Sequence, residues 1–143
     1  VPVDAYGRAW RAAELVREHR GDGHLAACVA AGLDVVEMNV LTEVWLGYPV
    51  GEYSATRGWS PDRVATAAAS LHGRGWLDPD HSITADGRAA RDAIEAATDR
   101  SQDALITTLG ADVDEVIDAA GAVSAAVLLA QAAPADPRKR AAG

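Results

Sequence analysis

Two stretches of this chain carry side chains that could do chemistry. The first is His19-Arg20-Gly21-Asp22-Gly23-His24, which packs two imidazoles, a guanidinium and a carboxylate into six residues. Glycine at 21 and 23 would let the backbone approach a ligand closely. Arg20 offers a planar fork to an anion, and His24, near a helix start, an acid or base that titrates near neutrality. Trp10, Arg20, Asp22, His24, Glu37 and Trp45, with Tyr48 beside them, form the candidate pocket for a small hydrophobic or anionic ligand. The same residues have a structural reading, in which Asp22 caps a helix starting near His24 and Arg20 pairs with Glu37 or Asp34. The second stretch is 61–74. Its outward face offers Arg63, Thr66, Ser70 and Arg74, with Arg57 just before. Arginine suits guanine or phosphate, and the two hydroxyls suit either.

Other chemistry is not spelled out. There is no nucleophile beside a base, no glycine-rich phosphate loop and no metal-ligand spacing, so no catalytic residue, metal or cofactor is assigned and enzymatic activity is left open. The single cysteine, Cys28, excludes an internal disulfide and reads as a small buried hydrophobe. His72 and His81 read as surface residues, and Glu37 and Glu43 as rim or paired groups on an apolar helix.

Helices must position these groups. Nearly half of the 143 residues are apolar, with much Ala, four Trp and no Phe. Such a composition packs helices closely and seldom builds sheets. A stripe of Tyr6, Ala9, Trp10, Ala13 and Val16 predicts a helix over 4–19. Gly21 and Gly23 predict a break, followed by a short helix over 24–31 that Gly32 ends. Asp34 caps a helix to about 46, with Val36, Val40, Val44 and Trp45 on its apolar side. Residues 50–58 read as a short helix or turn. Ser60-Pro61-Asp62 opens the helix 61–74, whose inward stripe is Val64, Ala67, Ala68 and Leu71. Residues 76–77 and 82–83 read as two very short strands around the turn Asp78-Pro79-Asp80-His81. Thr84 then caps a helix from 85 to about 109. Asp112 with Glu115 resembles a capping box for a last helix to about 133, and 134–143 reads as a disordered tail.

The net charge of −8 and pI near 4.8 disfavour nucleic acid and anionic membranes unless a local basic face overrides them. Between Asp22 and Glu95 there are eleven acidic residues against five Arg. No apolar run reaches membrane-spanning length and no signal peptide is visible, so a cytoplasmic protein without membrane partners is expected.

The words LHGRGWL (71–77), ITADGR (83–88) and IEAATDR (94–100) resemble the recognition-helix exit, wing exit and following helix of MarR-type regulators. REHRGDGH (17–24), AAGLD (30–34), TRGWS (56–60) and EAATDR (95–100) resemble an actinobacterial group known as the helix-turn-helix family. That resemblance implies that this chain corresponds to the C-terminal half of a protein about twice as long. The expected fold is therefore mainly α: a MarR-like winged helix-turn-helix over residues 1–133, with a short β-hairpin wing and long C-terminal helices. The expected function is a transcriptional regulator that binds double-stranded DNA through helix 61–74. The alternative is a small-molecule-binding domain or enzyme that keeps the scaffold, has lost the DNA surface and carries its pocket at the RGDGH segment. Apolar stripes on the last two helices, and the MarR-type resemblance, imply a homodimer or docking onto an N-terminal half.

Overall fold

The computed structural model describes residues 3–134. Its elements run α1 (Ala5–Ala30), α2 (Val35–Trp45), a 3-10 turn (Ser54–Arg57), α3 (Pro61–Gly73), α4 (Ala85–Arg100), α5 (Asp103–Leu109), a second 3-10 turn (Gly110–Asp112) and α6 (Val113–Leu129). Three helices start at the caps that the sequence predicts, and Asp4 caps α1 as well. Asp4 accepts from Gly7 N–H, Ser60 from Arg63 N–H and Thr84 from Gly87 N–H. Asp34 and Glu37 form a full capping box, each carboxylate accepting the other's backbone N–H at 2.8 Å. Each such cap contributes about 1 kcal/mol.

The core lies where α2 crosses α3. Val36, Val40, Leu41 and Val44 meet Val64, Ala67, Ala68 and Leu71, joined by Cys28, Leu33, Leu77 and Ile94. Ala67 and Ala68 are small enough to bring the two helices close. The C-terminal part of α1 packs along α4.

Three expectations need correction. First, the RGDGH segment is no loop: α1 runs through it without a break. Two interior glycines cost only about 1 kcal/mol each relative to alanine, and the packing of α1 on α4 overrides that. Gly23 is part of the packing, since a Cβ there would lie 2.1 Å from Ser101 Oγ. Asp22 is therefore an exposed mid-helix residue and caps nothing. Second, the winged, MarR-like architecture is not formed, because the described residues contain no strand. Residues 76–83 make one isolated antiparallel bridge, Leu77 to Ile83. Trp76 N–H still bonds back to Leu71 at the end of α3, and Thr84 already caps α4. Between them Asp78 Oδ1 accepts from Asp80 and Ser82 N–H, and His81 sits at φ 61°. That closes a tight loop with no length left for a ladder. The protein is mainly α, as composition implied. Third, the helix expected over 85–109 breaks at Ser101–Gln102, and Asp112 makes no side-chain cap for α6. The tail expected beyond Pro134 falls outside the described residues.

The two ends of the fold are left apolar and open. Tyr6 is 89% and Trp10 71% exposed on α1, and Ile117 62% and Val123 65% exposed on α6. The helical stripe places Trp10 in the core, but among the described residues the first half of α1 is almost wholly exposed. Trp45, also expected inside, is 37% exposed at the edge. Among the described residues no single helix is long and apolar enough to cross a membrane.

Candidate functional site

The outward face of α3 divides into two parts. Near its start, Arg63 and Thr66 are exposed. Thr66 Oγ1 donates back to Asp62 C=O at 2.8 Å, and no hydrogen bond of the Arg63 guanidinium occurs among the described residues. Near its end, the predicted contacts are engaged in holding the fold. Ser70 Oγ donates to Glu37 Oε1. Arg74 donates to Gly32 C=O at 2.6 Å, lies 3.5 Å from Glu37 Oε2 and covers the Trp76 ring at 5.4 Å. Arg57, at the end of the first 3-10 turn, lies over the Tyr53 ring and donates to its hydroxyl. Glu37 thus belongs to the α1–α2–α3 corner and not to a ligand pocket.

That turn is pinned by Glu43, which has no solvent exposure. Its Oε1 accepts from Gly51 N–H at 2.7 Å, and its Oε2 from Tyr53 at 3.0 Å and Ser54 at 2.9 Å. The carboxylate replaces backbone partners that the 46–60 connection cannot supply for itself. It thereby fixes the approach to α3.

A second cluster lies between α1 and α4. Arg20 Nη2 donates to Glu95 Oε2 at 2.8 Å and is 3.5 Å from Asp99. Arg91 donates to Glu95 Oε1 and stacks on Trp45 at 4.6 Å. His24 Nδ1 is 3.1 Å from Thr98 Oγ1 and 3.6 Å from Glu95. Burial, then the charge of Arg91, and to a lesser degree that of Arg20, push the His24 pKa below its ordinary 6.5 against the pull of Glu95. Burial alone would raise Glu95, but the hydrogen bond and charge of Arg91, with help from Arg20, bring it below the usual range. Cys28 Sγ is 3.6 Å from His24 Nε2, yet the thiol is buried and its pKa is raised by that burial. A protonated, enclosed thiol is not a nucleophile. Beside the cluster is a cavity of about 360 Å³, with Arg20, His24, Arg91 and Glu95 on one side and residues of α2 and Tyr53 on the other.

Of the six predicted pocket residues, the cavity lining includes Arg20 and His24. Trp45 reaches the site only by carrying Arg91, while Trp10, Asp22 and Glu37 lie elsewhere. Arg20 pairs with α4 and not with Glu37 or Asp34 as in the structural reading. The described residues contain no group of three or more His, Cys, Asp or Glu able to hold a metal.

A family model described as "Helix-turn-helix family" matches residues 1–134. The chain belongs to the helix-turn-helix family. No curated protein and no solved structure matches it. Within this helix-turn-helix protein, sequence reasoning missed Arg91, Glu95 and Glu43. Arg91 and Glu95 stand at the i, i+4 spacing of a helical ion pair, which was legible. That they would meet α1 was not.

Proposed function

We propose that this helix-turn-helix chain is a DNA-binding regulator that acts as a dimer, with α3 entering the major groove. The observation that carries the reading is the start of α3. Arg63 and Thr66 face solvent there, Arg57 stands one turn earlier, and Val64, Ala67, Ala68 and Leu71 anchor the opposite face in the core. A rigid helix presenting a guanidinium and a hydroxyl suits base edges and phosphate. Asp62, Asp78, Asp80 and Asp86 lie in the same part of the chain, so affinity is modest and steeply dependent on salt. Ser70 and Arg74 act as braces for α3 and not as primary contacts.

The partner copy is supported by the two open apolar faces. Exposed patches of this kind mark interaction surfaces. On α1, Arg11 pairs with Glu14 and Arg17 with Glu18, so this face is apolar with its charges largely neutralised, while the opening of α6 carries Asp114, Glu115 and Asp118 with no basic residue.

The test is selection of duplexes from a random pool at low salt, followed by titration against increasing salt, with sedimentation to fix the oligomer. Arg63→Ala should weaken binding about 5- to 150-fold and reduce the salt slope by about 1. A dimer that retains no duplex at low salt would refute the reading.

A further inference from the structure

We propose that the cavity between α1, α2 and α4 binds a small monocarboxylic acid with an apolar body, held by Arg20 and Arg91. Three observations converge. Arg91 is only 6% exposed, lines the cavity, and has a buried Nε with no hydrogen-bond partner. A buried cation with unused donors is costly, and a guanidinium with one partner retains geometry for a second, planar one. The charges inside the site do not balance. Arg20 and Arg91 share the single carboxylate of Glu95, while Asp99, the other acid near Arg20, has 72% of its side chain exposed and is screened by solvent. One further negative charge completes the site. Leu25 of α1 with Val35 and Met38 of α2 gives the cavity an apolar part of its lining, beside the polar Asn39, Thr42 and Tyr53, so an apolar body on the anion gains contacts that a bare inorganic anion does not. The volume of about 360 Å³ lies in the range of small-ligand pockets and admits roughly a dozen water-sized groups.

This site does not depend on the DNA reading, because its test contains no DNA. The whole chain is titrated by calorimetry with phenylacetate and indole-3-acetate, with phenylacetamide as the neutral analogue and inorganic phosphate as the bare anion. The His24 ring and Trp45 indole resonances are followed in parallel. The acids bind and move both resonances. The amide binds at least about tenfold more weakly, as loss of a charge-assisted hydrogen-bond pair requires. Arg20→Gln, at a half-exposed position, weakens the acids by a similar factor, and Asn39→Trp, which fills the cavity from α2, abolishes binding without removing charge. Arg91 also supports the fold through Glu95 and Trp45, so these two variants, with helicity checked by circular dichroism, are the decisive ones. The proposal is overturned if neither acid binds, if the amide binds equally well, if phosphate binds and the acids do not, or if Arg20→Gln and Asn39→Trp keep full affinity.

Discussion

Glu43→Gln isolates the device that sets up α3. The native carboxylate accepts three backbone N–H bonds at 2.7–3.0 Å from the connection between α2 and α3, and it is fully enclosed. Glutamine keeps the shape but exchanges one oxygen for an NH2 group. In its better orientation the remaining oxygen faces Tyr53 and Ser54, and the NH2 then confronts the N–H of Gly51, donor against donor. One charge-assisted bond is lost, worth about 1.5–3 kcal/mol, and a buried donor is left unsatisfied at about 1–3 kcal/mol more. The two surviving bonds also lose their ionic character. A total near 3–5 kcal/mol is a large share of the roughly 5–15 kcal/mol that holds a domain together. Urea denaturation followed by circular dichroism should show stability falling by that amount. Amide exchange should be accelerated at Gly51, Tyr53 and Ser54 before the rest of the chain. A loss under about 0.5 kcal/mol, the level of an ordinary surface change, would refute the claim that Glu43 pins the connection.

Gly87→Ala should destabilise by about 1–3 kcal/mol, because the added Cβ would meet the Trp76 carbonyl oxygen at 2.2 Å and backbone has little room to yield; a thermal midpoint equal to wild type would count against the packing of α4 on the end of α3. Acidification should weaken the fold in two stages. His24 has its folded pKa below 6.5, so the unfolded chain binds its proton first and stability falls as pH drops through and below 6.5. Glu95 is also depressed, so its contribution is full above its ordinary 4.5 and is lost as pH falls through its folded value. Cys28 acts at the other end: its raised pKa leaves its contribution intact below 9.0 and removes it as pH rises beyond. Denaturation midpoints measured across pH and repeated in His24→Gln should lack the first stage alone; a profile unchanged by the substitution would show that folding does not lower the His24 pKa. Ser70→Ala should lower stability, through loss of the Glu37 hydrogen bond, more than it lowers DNA affinity, as paired denaturation and binding titrations would show.

The caps at Asp34, Ser60 and Thr84, the inward stripes of α2 and α3, and the burial of Cys28 are all legible in the sequence. Each depends on residues within a few positions of one another, where backbone hydrogen bonding and helical periodicity act directly. The glycines at 21 and 23 mislead because their local cost is small and a distant helix overrides it: α4 brings Ser101 against Gly23. The expected hairpin fails because Asp78 closes its loop too tightly for a ladder. The site was beyond local reasoning for the same cause. Arg20 and His24 lie more than 65 residues from Arg91 and Glu95 in the chain, and only the crossing of α1 with α4 makes two cations share one carboxylate. Local spacing chose the helices, while long-range packing chose which charges meet, since Coulomb and hydrogen-bond energies depend on distance in space and carry no trace of separation along the chain.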